Sequence, residues 1–82
     1  MKYFYTYVLE SDIDHEIYIG YTEDLKKRFV EHNKGLVHST KNRRPLELIY
    51  YEACVDKESA VSREKQLKTG FGRAYLNRRL KR

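Results

Sequence analysis

Two short alternating runs of apolar and aromatic residues stand back to back at the start of this chain. Between them lies a polar stretch too short for anything but a turn. The first run is Tyr3 to Glu10. Tyr3, Tyr5, Tyr7 and Leu9 fall on one side, and Phe4, Thr6 and Val8 on the other. Both sides are apolar or aromatic, as in a strand covered on two faces. Ser11-Asp12-Ile13-Asp14-His15 is turn-like, and Glu16 to Tyr21 reads as a second strand. Residues 3 to 21 are therefore expected to form a β-hairpin. In its second strand Tyr18 and Gly20 share a face. Gly20 leaves that face bare, which suits close approach by a ligand or another backbone.

Helical periodicity follows. Thr22 is the expected N-cap, with Glu23 and Asp24 in the first turn, where the helix dipole favours anions. Leu25 and Phe29 form the apolar stripe of a helix reaching about Asn33 and stopping at Gly35. Arg28 and His32 lie four apart at the edge of that stripe, so both should be held against the core. Residues 34 to 45 read as a basic loop ending at Pro45. Leu46 to Cys54 is the third expected strand. Asp56 caps a second helix expected to end at Gly70, and a short basic helix, about Arg73 to Leu80, closes the chain. Within the second helix Glu64 lies among the inward-facing Ala60, Val61 and Leu67. A carboxylate there needs a cation, a donor network or a metal, because an unpaired buried charge costs several kcal/mol.

At 82 residues the chain is read as one domain, residues 1–82, with a thin core. Most of its 8 tyrosines must double as packing groups. The single cysteine, Cys54, is expected to be a buried apolar strand residue, and a reducing cytoplasmic compartment is its natural setting. No run of about 18 apolar residues exists to span a membrane, and no signal peptide is read before the first strand. The net charge is +5, and the bases are segregated. Lys34, Lys41, Arg43 and Arg44 fall in an acid-free stretch, as do Lys65, Lys68, Arg73, Arg78, Arg79, Lys81 and Arg82. A basic face is the electrostatic footprint of a polyanion partner. Lys41, Arg43, Arg44, Lys68, Arg73, Asn77 and Arg78 are the candidate nucleic-acid contacts.

The order Tyr5-Thr6-Tyr7, Tyr18-Ile19-Gly20, Arg28 and Glu64 resembles the GIY-YIG nuclease superfamily, and above all its small stand-alone members. Tyr7 and Tyr18 are 11 residues apart, and Arg28 follows Tyr18 by 10. The resemblance covers about residues 3 to 80. It implies an α/β (α+β) fold, a three-stranded antiparallel sheet flanked by helices in the order ββαβαα. It also implies a metal-dependent endonuclease acting on DNA, in repair or processing, as a monomer or weak dimer. The matching catalytic positions are Tyr7, Tyr18, Arg28 and Glu64. His32 matches a histidine found four residues after the arginine in some restriction-enzyme members. Glu64 would hold Mg2+ (or Mn2+), a tyrosine would help deprotonate water, and Arg28 would stabilise the phosphate.

The chemistry suits these residue types. Phosphodiester hydrolysis rests on charge stabilisation and on a metal that activates water. One carboxylate with waters and a phosphate oxygen suits magnesium, and arginine is a planar, always charged fork. Tyrosine, with a free pKa of about 10, would need the metal or Arg28 to lower it. The chain also departs from the family pattern. Tyr5 stands where the first motif opens with glycine, and Tyr21 where repair nucleases place a lysine. Asn77 lies 13 residues after Glu64, in the region of a family asparagine. No separate DNA-binding domain is read beside the motifs in these 82 residues. Two other readings stay open: a nucleic-acid-binding module with a vestigial site, and a small structural domain whose tyrosines are only core.

Overall fold

Strand β1 (Phe4–Ser11) lies at the centre of the sheet, and the rest of the chain is arranged around it. In the computed structural model, which describes residues 1–82, β1 pairs antiparallel with β2 (Ile17–Thr22) on one edge and with β3 (Leu46–Cys54) on the other. Helix α1 (Leu25–Asn33) follows β2, while α2 (Lys57–Leu67) and α3 (Gly70–Leu80) follow β3. The order ββαβαα and the α+β class are those expected; β1 is hydrogen-bonded along both edges, and both of its faces are covered, as its two-sided apolar pattern requires.

The alternation of β1 divides the interior into two layers. Val8 packs with Ile19, Leu67 and Leu76 beneath α2 and α3, an all-aliphatic centre. On the other side Tyr7 and Leu9 pack with Leu46, with Tyr18, Leu25, Phe29 and Leu48 around them. Thr6, on the α2 side, donates from its hydroxyl to the Ala60 carbonyl at 2.8 Å, which ties α2 to the central strand. Asn33 ties α1 to the edge strand β3. Its side-chain amide donates to the Leu46 carbonyl and its oxygen accepts from the Leu46 amide, at 2.9 and 2.8 Å. An isolated helix of 9 residues is marginal in water, so such tertiary anchors decide where α1 rests.

Several local expectations shift. Asp24, not Thr22, caps α1, accepting from the Lys27 amide at 3.1 Å, while Thr22 turns the chain just before it. The α1 stop is as read: Gly35 sits at φ +78°, the left-handed region that favours glycine. Asp56 caps α2 as expected. Gly70 does not end a helix but opens α3, because Thr69 intervenes as a new N-cap, its hydroxyl accepting from the Gly72 amide. Gly72 then lies against the Leu67 backbone so closely that a Cβ would overlap it. Cys54 is half-buried rather than buried, since it ends an edge strand, and its sulfur accepts from the Asp56 amide. No helix is long and apolar enough to cross a membrane.

Candidate active site

Tyr7 and Gly20 are directly opposite one another in the β1–β2 ladder. The Tyr7 ring lies across that gap, and a Cβ on Gly20 would overlap the phenol oxygen. The bare face read at Gly20 therefore receives a side chain of its own sheet rather than a ligand or another backbone. This carries the Tyr7 hydroxyl over the outer edge of the sheet, where α1 delivers its own residues. Tyr7 is 2% exposed and its hydroxyl lies 2.8 Å from Nε2 of His32. His32 is fully buried, as its place at the edge of the α1 stripe implied, and its Nδ1 lies 2.7 Å from the Thr40 hydroxyl. Tyr18 packs edge-on to the same imidazole, with ring centroids 5.1 Å apart, and 6.3 Å from the Tyr7 ring.

Arg28 and Glu64 complete the group from opposite sides of the sheet edge. The Arg28 guanidinium lies near enough to the Tyr7 hydroxyl to favour its ionised form, and the Glu64 carboxylate near enough to disfavour it. Burial outweighs both and pushes Tyr7 up to about 12. Burial, helped by the Arg28 charge, holds His32 down to about 4, so the imidazole is neutral at pH 7. Arg28 alone therefore does not bring the Tyr7 phenol below its ordinary value, because burial of the ring outweighs it. The Tyr18 hydroxyl makes no hydrogen bond within the chain and is not buried.

Arg28 and Glu64 do not neutralise each other. Arg28 pairs with Glu31 at 3.2 Å, one turn along α1, and Glu64 with Lys68 at 3.1 Å, one turn along α2. Both partners are local and at least partly exposed, the kind of pair that contributes little and gives way readily. Nowhere do three His, Cys, Asp or Glu side chains converge. A divalent ion would have Glu64 as its single protein carboxylate, which fits a hard cation that keeps its waters and takes a phosphate oxygen from the substrate.

The basic residues are placed less uniformly than their segregation suggested. Arg43 turns back to Asp14 at 3.7 Å and is half-buried. Arg44 donates to the Lys41 carbonyl at 2.7 Å and packs over Gly35. Lys41 and Arg44 line one shallow depression with Asn33, Asn42 and Pro45. Lys68 is engaged with Glu64. Arg73, Asn77 and Arg78 are exposed along α3, while Arg82 at the tail is bound by Glu10 through both guanidinium nitrogens. Thr40 escaped sequence reading altogether. A lone threonine in a basic loop carries no periodic signal, and only the fold brings it beneath His32.

UPF0213 proteins of Streptococcus pyogenes serotypes M3 and M1 are 49% identical over 61 residues, 73% of this chain. The match spans 65% of the length of these relatives. The solution NMR structure of the UPF0213 protein BH0048 from Bacillus halodurans superposes with a TM-score of 0.56 at 31% identity, covering 90% of this chain and 81% of that one. The sequence matches the GIY-YIG catalytic domain across residues 3–80, nearly its whole length, with Tyr7, Tyr18 and Gly20 gathered at one sheet edge. The chain belongs to the GIY-YIG family.

Proposed function

We propose that the protein is a metal-dependent endonuclease that hydrolyses phosphodiester bonds in DNA, with Tyr7, Tyr18, Arg28, His32 and Glu64 as its working residues. The observation that carries this reading is the unpaired relation of Arg28 and Glu64 on either side of the Tyr7 hydroxyl. A cation and an anion that do not pair with each other, each ion-paired only with a neighbour one turn along its own helix, suit a ligand that carries both charges: a phosphate with its divalent counter-ion.

In this reading Arg28 leaves Glu31 to engage a non-bridging phosphate oxygen as a fork donor. Glu64 leaves Lys68 and, with phosphate oxygen and water, would hold Mg2+ or Mn2+, which supplies Lewis-acid activation of water when bound. Tyr18, with its hydroxyl free, is the more available of the two tyrosines to touch water or substrate. Tyr7 keeps its proton at neutral pH and orients groups by hydrogen bonding. Lys41, Arg44, Arg73 and Arg78 flank the phosphates on either side, with Arg43 the least available.

A test is an assay of branched, flapped and single-stranded DNA with Mg2+ or Mn2+. Cleavage lost in Glu64→Ala supports the reading. Strongly salt-dependent binding without cleavage under any of these conditions would instead favour a nucleic-acid-binding module.

A further inference from the structure

The buried chain Tyr7–His32–Thr40 has two hydrogen-bonding directions, and they differ in which hydroxyl is left with a spare proton. A neutral imidazole carries one N–H. Suppose it sits on Nδ1. The ring then donates to Thr40, Tyr7 donates to Nε2, and the Thr40 proton has no acceptor. Thr40 is fully buried, and its hydroxyl has the His32 ring as its one hydrogen-bond partner. Burying an unpaired donor is strongly disfavoured. In the other direction Thr40 donates to Nδ1 at 2.7 Å and Nε2–H donates to the Tyr7 oxygen at 2.8 Å. The spare proton then belongs to Tyr7, whose oxygen also lies beside the Arg28 guanidinium and which has the Glu64 carboxylate and Tyr18 within electrostatic reach, whereas Thr40 has no such neighbour.

We propose that Thr40 is a positioning residue: its hydroxyl donates to Nδ1 of His32, fixes the Nε2–H tautomer, and makes His32 a donor to the Tyr7 oxygen rather than an acceptor of its proton. The Tyr7 O–H is thereby turned from the imidazole towards the Tyr18 and Glu64 side. His32 holds the phenol in place and is not a general base. The tautomer stands on hydrogen-bond geometry alone, while its consequence for cleavage rests on the nuclease reading.

Ring-nitrogen NMR of His32 at neutral pH tests the assignment without any cleavage. The wild-type protein should show protonated Nε2 and a bare Nδ1 whose resonance is displaced by an accepted hydrogen bond. Thr40→Ser should keep that signature. Thr40→Val, nearly the same shape, should lose it. A protonated Nδ1 in the wild type, or a Thr40→Val spectrum identical to wild type, overturns the proposal. On the most readily cleaved substrate, Thr40→Val should lower kcat by about tenfold with KM little changed, and Thr40→Ser should restore it. A changed ring spectrum with unchanged kcat would overturn the positioning role. If the wild type cleaves nothing, the nuclease reading fails, and the ring spectrum still decides the tautomer.

Discussion

The same combination, two tyrosines with an arginine and a glutamate, occurs twice in this molecule. On the α2–α3 side, Tyr50, Tyr75, Arg63 and Glu52 form a closed set. Arg63 donates to both Glu52 oxygens at 2.9 Å, Tyr50 donates to Glu52 at 2.6 Å, and the guanidinium lies 4.5 Å from the Tyr75 ring centre. At the β2 edge, Tyr7, Tyr18, Arg28 and Glu64 form an open set in which the arginine and glutamate each pair elsewhere. In the first, charge is consumed by the fold. In the second, each charge is held only by a partly exposed partner one turn away, and the proposed reading takes it as available to a ligand. Composition alone does not distinguish a structural cluster from a site; what each charge is bonded to does.

The sharpest way to break this contrast is substitution at the open set. Arg28→Ala and Tyr18→Phe should each reduce cleavage by about a hundredfold or more, with thermal stability nearly unchanged. A double variant should be little worse than either single one, because residues acting as a unit are not additive. Equal losses from Arg63→Ala in a folded protein would erase the distinction.

A second difference appears on acidification. His32 falls from its ordinary value near 6.5 to about 4 on folding. The unfolded chain thus binds more protons in that window, so stability is complete above about pH 6.5 and declines as pH falls towards 4. The whole effect is roughly 3 kcal/mol. Glu52 behaves otherwise. Burial pushes its carboxyl up, but Arg63 and Tyr50 outweigh burial and lower it overall. Its contribution is present above the usual glutamate value and is lost only below it. Chemical denaturation from pH 7 to 5 should show a decline that is absent in His32→Gln; an unchanged decline would place its cause elsewhere.

The closed set should instead report on stability. Glu52→Gln leaves the half-buried Arg63 without its anion and should cost about 1–3 kcal/mol at pH 7. Glu64→Gln, relieved only of an exposed lysine, should stay within about 0.5 kcal/mol. Smallest of all, each lost phosphate contact should reduce the log–log salt slope of DNA binding by about 0.7 to 0.9. Arg73→Ala or Arg44→Ala should show this reduction, and Arg43→Ala, already turned to Asp14, should show less. An unchanged slope in all three would make these stretches solvated surface.

The sheet and the three helices were legible because their signals are periodic. Alternation marks β1 and β2, and Leu25 and Phe29 mark α1. Gly35 and Asp56 mark ends that stayed where they were expected. Boundaries set by a single competing cap were not. Asp24 displaced Thr22, and Thr69 opened α3 three residues early, because either of two neighbouring oxygens can cap and only packing chooses. The cluster around Tyr7 was legible by motif spacing and by the wheel position of Glu64. Its internal hydrogen bonding was not. Thr40 reaches His32 through a loop, and the seal over Tyr7 depends on how far its ring crosses Gly20. The Arg43–Asp14 pair joins two loops distant in sequence, so charge segregation overstated how much of the basic loop stays free.

The central claim is that the open set works on phosphodiesters and the closed set does not. The most direct measurement is Mg2+- or Mn2+-dependent cleavage of one branched DNA substrate by Glu64→Gln and Glu52→Gln, side by side with wild type. Each protein would be assayed well below its own unfolding temperature. Near-wild-type rates are expected for Glu52→Gln and a loss of about a hundredfold or more for Glu64→Gln. Undiminished cleavage by Glu64→Gln would contradict the central claim.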